Sequence, residues 1–114
     1  MGKRVWLQKQ DLLDFVGEGT VGEISVAGRL WNALVTYVPV VMEKDGNPPI
    51  VVRPLQNPHR SHKAWRSRGG ANQEIELGSL VDAYNQGRIY DGMVAQYGTM
   101  MHALLTRWVE SLRC

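Results

Sequence analysis

Apolar positions recur along this chain with a period that changes wherever glycine or proline intervenes. Within residues 8–17, Leu12, Leu13, Phe15 and Val16 form a stripe that Gly17 and Gly19 end, which predicts a short helix. Thr20-Val-Gly-Glu23 then has the form of a capping box, in which hydroxyl and carboxylate each satisfy a free amide of a new helix. Ile24, Ala27, Trp31, Leu34, Val35 and Val38 follow at spacings of three and four. They predict a helix that stops before Pro39. Gly28, at about 1 kcal/mol relative to alanine, marks a break into two helices or a close helix contact. A strand at Ile24–Ala27 is the competing assignment.

Residues 39–54 predict a β-hairpin. Val40-Val-Met42 and Ile50-Val-Val52 are β-branched or apolar, and Asp45-Gly46-Asn47 between them has turn chemistry. Pro39, Pro48, Pro49 and Pro54 cannot donate ladder hydrogen bonds and would confine both strands to edges. Further on, Leu77, Leu80, Val81 and Tyr84 predict a helix over 75–86 with Gly87 as its stop. A final helix over 91–112 carries Val94, Tyr97, Met101, Leu104, Trp108 and Leu112, widened by Met93, Met100 and Leu105. A helix apolar over so much of its circumference is buried on more than one side. The expected fold class is therefore α+β: about four helices packed around the long C-terminal helix, with one short β-hairpin at residues 39–54, all in a single compact domain spanning 1–114.

Charge adds what periodicity does not. Residues 1–45 carry −1, residues 46–73 carry +5 and residues 74–114 carry −2, within a total of +2. The middle window holds Arg53, Arg60, Lys63, Arg66 and Arg68 and no Asp or Glu, with His59, His62 and Trp65 among the cations. Pro54, Pro58, Gly69 and Gly70 make residues 54–73 a basic loop. Arginine neutralises phosphates with a bidentate fork, an exposed tryptophan stacks on a base, and Gly69-Gly70 allows close backbone approach to an anion. The plainer alternative is a solvated loop with Trp65 anchored in the core. The element order also resembles a winged helix-turn-helix, with Arg29–Val38 as recognition helix and Val40–Val52 as wing. Against it, Leu30, Trp31, Ala33, Leu34, Val35, Tyr37 and Val38 leave that helix too apolar to read a groove.

Other chemistry has weaker support. His59 and His62 make half a metal site, but zinc takes three or four ligands and Cys114 at the terminus is a poor one, so no metal and no cofactor are expected. Ser61, Ser67 and Ser79 lack a nucleophile-elbow motif. Asp11/Asp14 read as solvent-facing carboxylates and Glu74/Glu76 as acids near a helix start, where the dipole favours them. No catalytic residue is assigned. With one cysteine, no leader pattern and no apolar run approaching the roughly 20 residues of a membrane span, a cytoplasmic setting is the default.

The expected function is a non-enzymatic binding protein whose basic loop contacts nucleic acid phosphates through Arg53, Arg60, Lys63, Arg66 and Arg68, with Trp65 stacking. One alternative is a small protein-interaction module, such as an inhibitor, adaptor or assembly component of a mobile element, that docks an acidic protein. Another is an oligomeric binder of a small phosphorylated or carboxylated ligand, with Arg88 contributing. A homo-oligomer through the 91–112 helix is a further expected partner, because spacings of four and three at 97, 101, 104 and 108 suit helix pairing.

Overall fold

The computed structural model describes residues 4–17, 21–55, 72–94 and 98–113. The chain opens with a three-residue strand, β1 (Trp6–Gln8), and turns directly into helix α1 (Lys9–Val16). Asp11 marks the start of that helix: its carboxylate accepts the Gln8 amide at 2.6 Å, satisfying an N–H that the helix itself leaves free. Gly17 ends it at φ +63°, donating its amide to Leu13 O at 2.9 Å.

Residues 21–44 form one unbroken helical rod. It consists of α2 (Val21–Asn32), a π-helical turn (Ala33–Tyr37) and α3 (Val38–Lys44). Neither Gly28 nor Pro39 breaks it, and residues 38–44 are helix where the β-branched pattern predicted the first strand of a 39–54 hairpin. The π turn explains how proline is accommodated. A regular α-helix would bring the Pro39 ring against the Val35 carbonyl and lack the hydrogen bond there. Opening the turn sends the Val38 amide five residues back, to Ala33 O, so Pro39 falls in the first turn of α3, where its missing N–H matters least. Thr36 Oγ1 donates to Asn32 O at 2.6 Å within the same turn. The continuous helix Gly22–Lys44 has 23 residues and a mean hydropathy of 1.3 in its most apolar window, long and apolar enough to span a bilayer by those two measures alone. Its apolar side is committed to the core: Ala27, Leu30, Trp31, Leu34, Val38 and Met42 are fully buried. The outward row Ser25, Arg29, Asn32, Thr36, Val40 and Glu43 is exposed.

Strands β2 (Val52–Pro54) and β3 (Gln73–Glu76) form the hairpin that the fold does contain. β3 lies at the centre of a three-stranded antiparallel sheet ordered β1-β3-β2. Leu7 and Val52 both face Ile75 in register, and Leu7 and Ile75 are buried against the helices. Residues 75 and 76 therefore belong to a strand, and the following helix, α4 (Leu77–Asn85), starts later than its apolar pattern predicted. Ser79 sews this junction: its Oγ donates to Glu76 O at 3.1 Å and accepts the Val51 amide at 3.0 Å. Gly87, at φ +71°, follows the helix.

The predicted helix over 91–112 is divided. A single turn, α5 (Asp91–Val94), precedes α6 (Thr99–Leu112), and Gly98 between them adopts φ +104°, a conformation that glycine alone takes readily. The inner face of α6 carries Met101, Leu104, Leu105, Trp108 and Val109. Trp108 meets Trp31 of α2 edge to face, with ring centroids 6.3 Å apart at 61°. Tyr84 on α4 shares a 2.6 Å hydrogen bond with Thr106 on α6. The result is mixed α+β, with helices around the C-terminal helix as the sequence predicts and the small sheet on one side.

Candidate functional site

The hydrogen bonds flanking the basic segment give its topology. Beyond the β2–β3 ladder, Leu55 donates its amide to Asn72 O at 2.8 Å. Residues 56–71 are thus the connection of an antiparallel hairpin whose two stems are joined at their last described residues. Of the predicted contacts, Arg60, Lys63, Trp65, Arg66 and Arg68 lie in this connection, outside the described residues, as do His59 and His62. Arg53 lies in the stem.

Arg53 is held from two sides, by Glu74 and by Trp6. Arg53, Glu74 and Gln8 stand in register across the three strands, on the face opposite Leu7 and Ile75. Arg53 Nε donates to Glu74 Oε1 at 3.1 Å, and Gln8 Nε2 donates to Glu74 Oε2 at 3.2 Å. The guanidinium carbon lies 3.8 Å from the centroid of the Trp6 ring, a close cation–π stack. Glu74 is buried, at 6% exposure, yet both its oxygens have donors, which is what makes a carboxylate tolerable there. The side chain of Arg53 keeps 34% of its surface exposed. Two residues along β3, Glu76 is approached by Arg4 at 3.5 Å in a more open setting.

Glu74 is therefore a strand residue with a basic partner rather than an acid at a helix start, whereas Glu76, the last residue of β3, is also the N-cap of α4 and does stand at a helix start. No signal in the local sequence marks Glu74 as buried, since its partners are 66 and 21 residues away along the chain. Trp6 likewise gives no local indication that it forms a platform for an arginine.

A second region is formed by residues of α4, α5 and α6 and the turn between α4 and α5. Tyr84, Gly87, Ile89, Tyr90, Gly92 and His102 line an open depression of about 500 Å³. Its hydroxyls are engaged: Tyr84 with Thr106, and Tyr90 with Asp45 Oδ2 at 2.9 Å. The hydrogen bond to Asp45, with smaller contributions from burial and the nearby negative charge, raises the Tyr90 phenol above its ordinary value of 10.0. Arg88, expected as a contributor to a small-anion pocket, donates from Nη1 to Pro48 O at 2.7 Å and so braces the loop after α3. Its Nε is buried without a hydrogen-bond partner among the described residues. No group of three or more His, Cys, Asp or Glu is placed to hold a metal ion among the described residues. Comparison of the chain with protein-family models, with curated proteins and with solved structures finds no match.

Proposed function

We propose that this protein is a non-enzymatic binding protein whose basic hairpin connection meets nucleic acid, with Arg60, Lys63, Arg66 and Arg68 contacting phosphates and Trp65 stacking on a base. The observation that carries this reading is that an acid-free, cation-rich segment connects two hydrogen-bonded strands whose other ends are fixed in the core sheet. A hairpin stem supplies a rigid base, and two-stranded ribbons are a known way to present side chains to a nucleic-acid groove. Arginine and lysine attract the phosphate backbone without sequence preference, and one aromatic adds sequence-tolerant stacking.

A filter-binding titration with single-stranded DNA, duplex DNA and RNA tests the proposal. Retention in dilute buffer that falls as salt rises is the expected result. Absence of retention of any of the three in dilute buffer removes it, and leaves an acidic protein surface as the chemistry that suits the cations.

A further inference from the structure

Arg53 differs from an ordinary surface cation in how its five N–H donors are used. It bonds Glu74 through Nε, while its two Nη groups, which carry the other four donors, make no hydrogen bond to a described residue. One face of the guanidinium lies on Trp6, and the carboxylate that grips Nε is itself buried and held from its other oxygen by Gln8. The side chain is one-third exposed, so the plane and rotamer are set while part of the group remains open to solvent.

We propose that Arg53 is a preset phosphate fork, with Glu74 and Trp6 as its positioning residues. This rests on the reading of the adjoining 56–71 connection as the nucleic-acid contact. Parallel N–H groups of a guanidinium match two oxygens of a phosphodiester, and binding is strengthened when the rotamer entropy of the arginine is already lost before the ligand arrives. Holding a binding group by packing on one side and by a supporting hydrogen bond on another is how such groups are kept in productive geometry. Because Glu74 neutralises Arg53, the fork contributes direction more than net charge. The loop cations contribute the long-range attraction.

The position also suits the role. Arg53 stands in β2, one residue before Pro54 and two before Leu55, whose amide makes the last described cross-strand bond before the connection begins.

The test compares Arg53→Lys, Arg53→Ala and Trp6→Leu with the natural chain, using fluorescence anisotropy of a labelled oligothymidylate at fixed low salt. Arg53→Lys keeps the charge and loses the fork. It is expected to bind about tenfold more weakly, close to Arg53→Ala, since hydrogen bonds to charged groups are worth roughly that factor or more. Trp6→Leu should weaken binding in the same direction with every charge intact. NMR of the arginine Nε–Hε and Nη groups supplies a readout that a purely structural role would not move: the Arg53 signals should shift on adding oligonucleotide. Equal affinity for Arg53→Lys and the natural chain, or Arg53 signals that do not move at saturation, would overturn the fork while leaving the loop proposal intact. No binding by the natural chain would overturn the loop proposal itself.

Discussion

Arg53 and Glu74 face each other across the β2–β3 pair, with Nε and Oε1 3.1 Å apart, and Glu74 is the buried charged residue of the described core. A buried carboxylate that loses its donor, or an arginine that loses its carboxylate, leaves charge without compensation. Glu74→Ala should therefore cost about 1–3 kcal/mol, below the figure for a fully enclosed pair because Arg53 is partly solvated. Urea denaturation with an unchanged m-value checks this. A double-mutant cycle with Arg53→Ala should give a coupling on the order of 1 kcal/mol.

The core turns on a second pair, Trp31 and Trp108, both fully buried and in edge-to-face contact. Trp108→Ala should destabilise the fold by roughly 3–5 kcal/mol, the range for truncating a buried aromatic. The Trp31–Trp108 contact should account for about 0.5–1.5 kcal/mol beyond area burial, read from a cycle of Trp→Leu changes. A loss below 1 kcal/mol for Trp108→Ala would mean that α6 is not packed against α2 as described.

A methyl group at Gly17 would meet only an ordinary contact, Asp14 O at 3.6 Å, but the glycine φ is +63°. Gly17→Ala therefore tests backbone strain without a clash. It should destabilise by roughly 1–3 kcal/mol, measured as a lower urea midpoint.

The helical stripes were legible because their period is local: Ala27, Trp31, Leu34 and Val38 are buried as spaced, as are Leu80, Met101, Leu104 and Trp108. Ile24 belongs to the same pattern yet is 43% exposed, since it lies near the rod's first turn. The hairpin was misplaced because Val40, Val41 and Met42 have strand-like composition, while packing of a continuous rod decides their state; Pro39 read as a stop because a π turn has no sequence mark. The described strands are three or four residues long and pair Pro54 with Gln73 at the nearest, too little local pattern for a period of two to show. The charge window was legible as charge. That it connects two paired strands, and that Arg53 in its stem has a buried acidic partner, depends on long-range register that no local pattern encodes.

Tyr90 should titrate above 10.0, because its hydroxyl donates to Asp45 and ionisation would break that bond. With the folded value raised above the unfolded one, the contribution to stability is complete below about pH 10 and is lost as pH rises through the folded value. Asp45→Ala should bring the Tyr90 transition back toward 10.0, followed as tyrosinate absorbance with Tyr37, Tyr84 and Tyr97 replaced by phenylalanine. No movement of that transition would mean that the hydrogen bond does not persist in solution.

Trp65 separates a stacking residue from a core anchor. If it stacks on a base, Trp65→Ala should weaken oligonucleotide binding by about 1–3 kcal/mol and leave the thermal midpoint unchanged. A lower midpoint with unaltered affinity would assign it to the core.

The most direct test of the proposed function is the salt dependence of nucleic-acid binding by the natural chain and by a variant with Arg60, Lys63, Arg66 and Arg68 all replaced by glutamine. Four phosphate contacts predict a log–log slope of about −3 with single strands, at roughly −0.7 per contact, and the variant should lose that slope together with most of its affinity. Absence of binding by the natural chain in dilute buffer, or a variant that binds with the same slope, would contradict the assignment of the basic hairpin connection as the surface that meets nucleic acid.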